Sequence, residues 1–115
     1  MSGHKIERIT EDIKRELTAI FRELKDPRVT STLVSIVRVE VTNDLSYCKI
    51  YVSTIDGIEK TNKAVLGLKS ANGYIKHELG SRLKLRHIPE LIFVATDFIE
   101  YGLDLSKKID DLKGR

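Results

Sequence analysis

A single cysteine, Cys48, in 115 residues can build neither an intrachain disulfide framework nor a cysteine-based zinc site. Its strand-like neighbours suit it to a buried place as a small hydrophobe. Long apolar runs are missing too, since no stretch approaches the roughly 18 apolar residues that a membrane span needs. The opening Met1-Ser2-Gly3-His4-Lys5 leads straight into an amphipathic pattern without an apolar signal-peptide core. A cytoplasmic protein without membrane contact is therefore expected. Catalytic motifs are absent as well. There is no Gly-x-Gly-x-x-Gly, no phosphate-binding P-loop and no nucleophile elbow, and His4, His77 and His87 lie too far apart to make a metal pair. These gaps predict a protein that is not an enzyme and carries no metal or cofactor.

What is present is ordinary in amount and uneven in distribution. Hydrophobic residues make up 41% and charged residues 32%, values typical of a globular domain. A chain this long buries roughly 65% of its unfolded surface in one core. The net charge of +3 is concentrated: between residues 69 and 87 the cations Lys69, Lys76, Arg82, Lys84 and Arg86 face a single acid, Glu78. The remainder is close to neutral or slightly acidic. A localised anionic partner is implied, because several cations without interleaved acids gain affinity for a polyanion by releasing its counterions.

Hydrophobic periodicity orders the elements. Ile6, Ile9, Ile13, Leu17, Ile20, Phe21 and Leu24 recur every three or four positions and predict a long first helix, ended by Asp26-Pro27-Arg28. The period then shortens to two, with Val37, Val39 and Val41 alternating against Ile36, Arg38 and Glu40. After the turn residues Asn43 to Ser46, a second strand carries Cys48, Ile50 and Val52 on one face. Tyr47, Lys49, Tyr51 and Ser53 lie on its other face, read here as an ordinary solvated sheet surface ahead of a nucleic-acid surface. Asp56 and Glu59 have the spacing of a capping box for a helix from Ile58 to about Ser70. Ala71-Asn72-Gly73 then interrupts the pattern. A third helix with Tyr74, Ile75, Leu79 and Leu83 inward is closed by Pro89, and Leu91, Phe93 and Ala95 mark a third strand. Residues 1–99 form the expected domain and 100–115 a tail, where Leu103, Leu105, Ile109 and Leu112 suggest a short C-terminal helix.

This order resembles the type II K-homology (KH) domain, an α+β fold of order α-β-β-α-kink-α-β with a three-stranded mixed sheet packed on helices. KH domains that clamp single strands use a Gly-x-x-Gly loop between paired helices. Here Ser70-Ala71-Asn72-Gly73 has one glycine, which argues against a general single-strand clamp. The Ala-x-Gly kink is similar instead to the bacterial ribosome-binding factor A family. So are Leu24-Lys-Asp26-Pro27-Arg28-Val29, Val41-Thr-Asn-Asp44-Leu45, Tyr51-Val52-Ser53, Ala71-Asn-Gly73-Tyr74-Ile75 and Arg82-Leu83-Lys-Leu85-Arg86-His-Ile-Pro89-Glu90-Leu91-Ile-Phe93. The resemblance implies a monomeric assembly factor. It would bind the small (30S) ribosomal subunit and 16S rRNA near the subunit's neck during late maturation and rRNA processing, support growth in the cold, and leave with the help of an assembly GTPase.

The residues expected to touch RNA are Lys69, Ser70, Ala71, Asn72, Gly73, Lys76, Arg82, Lys84 and Arg86, with Arg28 extending the surface. Amides near Asn72 and Gly73 would offer a phosphate seat at a helix N-terminus. Glycine at 73 would admit close approach of RNA or permit a sharp break. Tyr74 is divided between base stacking and core packing, with packing slightly ahead. A rival reading makes the chain a ribosome-associated protein-binding scaffold without direct RNA contact, and it gains if the basic side chains scatter over several faces of the fold.

Overall fold

The computed structural model describes residues 3–97, with side chains from Ile6 onward; the predicted C-terminal helix in 100–115 lies outside them. Helix α1 spans Gly3–Glu23 and buries Ile13, Leu17, Ile20 and Phe21 along one stripe, with Leu24 following. It ends before Pro27. Rather than merely stopping α1, the Asp26-Pro27-Arg28 segment starts a one-turn helix, α2 (Pro27–Thr30), that the periodicity did not predict. The Asp26 carboxylate accepts the Arg28 N–H at 2.9 Å, and Pro27 stands at the first helical position, where a missing N–H costs no intrahelical bond.

Strand β1 (Ser35–Val41) pairs antiparallel with β2 (Tyr47–Ser53), and β2 pairs parallel with β3 (Glu90–Ala95), giving a mixed sheet of order β1-β2-β3. A register shift between Ile36 and Arg38 changes the expected alternation in β1. Ile36 pairs with Val52 and Val39 with Ile50, so Ile36 and Val39 share the inner face and Val37 falls in the irregularity. The hairpin turn is held by Thr42, whose hydroxyl donates to Asp44 at 2.9 Å and accepts the N–H groups of Ser46 and Tyr47 at 3.1 Å each.

Helices α3 (Ile58–Ser70) and α4 (Asn72–Leu83) join β2 to β3. The core lies between the helices and the inner sheet face. Cys48, Ile50, Val52, Leu68, Ile75 and Leu79 are inaccessible there, and Phe21 of α1 meets Phe93 of β3 with ring centroids 6.2 Å apart. The α+β architecture agrees with the expected fold.

Two local expectations are corrected. The Asp56 side chain does not cap α3: Gly57 occupies that position with φ of 103°, and no side chain caps the helix. Asp56 instead accepts a hydrogen bond from the Thr32 hydroxyl on the facing loop. Tyr74 is not packed inward either. It is 46% exposed and donates its hydroxyl to Glu23 at 3.1 Å.

Candidate nucleic-acid interface

Between α3 and α4 the chain turns at one residue, Ala71, with φ −92° and ψ 9°. Its N–H is shared between the carbonyls of Gly67 and Leu68 at 3.1 Å, and its own carbonyl accepts from the Ile75 N–H at 2.9 Å. The side chain packs against the core. A small residue fits because two helix ends and the core converge there. No side chain caps α4, so its first-turn amides have no side-chain acceptor and are potential donors to an anion. The C-terminal carbonyls of α3 adjoin them and offset part of the helix dipole.

Asn72 and Gly73 belong to α4 itself. Gly73 does not have the positive φ found at Gly57, so the expectation that the break needs glycine's dihedral freedom is corrected. A side chain there would meet nothing within 4 Å. What glycine provides at 73 is an uncovered helix backbone.

Arg28 arrives at this kink from 42 residues away. Its Nη2 donates to Ser70 Oγ at 3.1 Å and to Asp26 Oδ2 at 2.7 Å. The paired guanidinium holds the Asp26 carboxyl below its usual range, and the carboxylate raises Arg28 in turn. On the other flank Lys69 and Asn72 border a hollow of about 270 Å³ completed by Leu91, Ile92 and Phe93. Within the kink Asn72 Oδ1 is buried without a hydrogen-bond partner. Lys69 is exposed and makes no ion pair among the described residues.

The other cations are not all gathered with these. Lys76 turns toward β3 and pairs with Glu90 at 2.6 Å. Arg82 lies on the opposite flank of α4, bound to Glu23 of α1 and to Glu78 at 3.1 Å. Lys84 closes α4 in the left-handed conformation, φ 52° and ψ 43°, and Arg86 follows in an irregular segment. Lys84 stands about 17 Å along the helix axis from Gly73, at about 1.5 Å per residue, and Arg86 lies beyond the helix end. The basic run therefore divides into a kink end, with Lys69, Arg28 and Ser70, and a far end with Lys84 and Arg86. Besides Glu78, the neutralising acids are Glu23 and Glu90, which lie outside residues 69–87. One exposed cation was passed over: Lys63, seven residues before Ser70 and so on the same side of α3. That two-turn spacing was its available signal.

Among the described residues no group of His, Cys, Asp and Glu could hold a metal ion, and no helix is long and apolar enough to cross a membrane.

Similarity to known proteins follows the same architecture. The family model for ribosome-binding factor A matches residues 5–109. Ribosome-binding factor A of Caldanaerobacter subterraneus is 45% identical over 106 residues, covering 91% of this chain and 86% of that protein. The Acetivibrio thermocellus protein of the same name is 47% identical over 108 residues, covering 93% and 87%. The crystal structure of ribosome-binding factor A from Thermus thermophilus superposes with a TM-score of 0.69 at 26% identity, covering 78% of this chain and 93% of that one. A Thermus thermophilus homology model fitted to a cryo-EM map of a 30S complex gives 0.63 at 25% identity, covering 76% and 90%. By sequence over most of its length, and by the arrangement of its helices on a mixed sheet, the chain belongs to the ribosome-binding factor A family.

Proposed function

We propose that this chain is a non-enzymatic assembly factor that binds the small ribosomal subunit in the cytoplasm and contacts 16S rRNA during its late maturation and processing. The observation that carries this reading is the kink: a start of α4 that no side chain caps, an uncovered backbone at Gly73, and Lys69 and Arg28 on either side. This arrangement suits phosphate oxygens of a folded RNA, with Lys84 and Arg86 making a second electrostatic contact farther along α4. The relatives are named for ribosome binding, and the Thermus thermophilus protein has been fitted into a 30S complex. Importance at low temperature, action as a monomer and release by an assembly GTPase complete the proposal.

Pairing of Lys76 and Arg82 with acids favours a second reading, in which contacts with proteins of the subunit carry the binding without RNA. Co-sedimentation with small subunits over a salt series separates them. Under the RNA reading, the log of the binding constant falls linearly with log salt, and removing each phosphate contact lowers the slope by about 0.7–0.9. Lys69→Gln together with Arg86→Gln is expected to weaken binding and flatten the slope. Binding that is indifferent to salt and to these substitutions would overturn the RNA reading.

A further inference from the structure

The sheet has a second face. Along β2 and β3 the residues between the buried ones alternate onto the face opposite the core: Tyr47, Lys49 and Tyr51 on β2, and Ile92 and Val94 on β3, with Ile92 at the sheet edge also bordering the hollow beside Lys69. The register sets Lys49 beside Ile92 and Tyr51 beside Val94. Tyr47 is 52% exposed and Ile92 37%. They border a hollow of about 430 Å³ that Glu40, Thr42 and Lys49 complete. At one end of the same sheet, the loops carrying Leu33 and Ile55, exposed by 70% and 81%, are fastened together by the Thr32 to Asp56 hydrogen bond.

Charge around the hollow is balanced. Arg38 pairs with Glu40 at 3.1 Å, Lys49 stands opposite Glu40 in the ladder, and Glu90 is taken by Lys76. A surface whose cations already face acids gains little from displacing RNA counterions. It is complementary to an electrically balanced partner that can place an apolar side chain in the hollow. Three strands about 4.8 Å apart and about 22 Å long give a footprint on the order of 300 Å², well under half of the roughly 800 Å² per partner in a stable interface. The face is too small to hold a dimer of this chain alone. It has the size of one part of a larger contact.

We propose that this outer sheet face is a protein-docking surface, whose hollow between Tyr47 and Ile92 receives an apolar side chain from a protein component of the small ribosomal subunit while the kink side meets RNA. This rests on the proposed function. The test compares intact small subunits with protein-free 16S rRNA as probes, using the parent, a Tyr47→Asp variant of the sheet face, which leaves the kink-side hollow untouched, and a Lys69→Gln/Arg86→Gln variant, each checked for an unchanged melting curve.

The sheet variant is expected to bind subunits at least tenfold more weakly and 16S rRNA as the parent does. The Lys69/Arg86 variant is expected to lose affinity for both. If the sheet variant binds subunits like the parent, the docking proposal fails and the assembly-factor reading stands. If it loses both probes equally, the face contacts RNA. If sedimentation shows a parental dimer that the sheet substitution abolishes, the occupant is a second copy. Either result overturns the proposal. Failure of the parent to bind subunits removes the function and the docking partner together.

Discussion

Arg82 of α4 is bound to Glu23 at the end of α1, 59 residues earlier in the chain, and Glu78 and Tyr74 join the same contact. A cation that belongs to the basic run by sequence thus serves as a tie between two helices. Replacing Arg82 with Glu would leave three neighbouring carboxylates without their shared cation. A clear fall in melting temperature is expected, whereas the same change at exposed Lys84 leaves it almost unmoved. Thermal melts of the two variants check this, and equal melting would remove the tie from the account. Charge reversal at Arg82 therefore cannot serve as a pure test of RNA contact.

Glycines 67 and 73 should part company. A methyl at Gly67 would stand 2.7 Å from Val29 Cγ2, a short branched side chain without room to swing aside, whereas Gly73 faces open space. Gly67→Ala is expected to destabilise the fold by about 1–3 kcal/mol through overpacking. It would also push α2, and Arg28 with it, away from Ser70. Gly73→Ala should fold at least as stably as the parent, with a gain of up to about 1 kcal/mol in a helix, yet bind subunits more weakly. Denaturant titrations read the first effect and co-sedimentation the second. Undiminished binding by Gly73→Ala would show that RNA does not approach the kink backbone.

Acid should weaken the fold through identifiable carboxyls. Hydrogen bonding from Arg82 sets Glu23 below its ordinary 4.5, and hydrogen bonding from Arg28 sets Asp26 below 3.8. Because the folded values are depressed, the unfolded chain takes up protons first. The stabilisation is complete above those ordinary values and is lost as pH falls through the folded ones. Melting temperature measured from about pH 7 down to pH 2 should therefore drop more gently in Glu23→Gln than in the parent. Parallel curves would mean that the Glu23 contact contributes nothing to acid lability.

Burial pushes the Cys48 thiol up to about 12. Since the thiolate is the reactive species, a disulfide reagent at pH 8 should leave the native protein unmodified over minutes and label it promptly once urea unfolds it. Fast labelling of the native state would show that the hairpin opens readily.

The elements were legible because they rest on local pattern. The α1 stripe and the alternation in β2 and β3 follow from side-chain spacing, and the structure reproduces them; α3 also begins at Ile58 and ends at Ser70 as expected, although the capping box that marked its start is not formed. Missed features depend on company that spacing does not reveal. Val37 was expected to alternate with Ile36, but the register shift that pairs Ile36 with Val52 is decided across strands. Asp56 and Glu59 matched a capping box, yet Asp56 is drawn to Thr32 on another loop. Tyr74 suited the core by period, but its phenol reaches Glu23.

By itself the sequence determined the class of fold, a break within Ala71-Asn72-Gly73 and the family, since all three are written in order, spacing and local motif; that the turn is Ala71 alone, with Asn72 and Gly73 inside α4, was decided by the fold. Only the tertiary structure decided which charges are available. Folding brings Glu23 to Arg82, Glu90 to Lys76 and Asp26 with Arg28 to Ser70, contacts that a count along the chain cannot register. The basic run keeps its kink, with Lys69 beside it, and leaves Lys84 and Arg86 at the far end of α4. The physical reason is that electrostatic attraction acts over a few ångströms in space, without regard to distance along the chain.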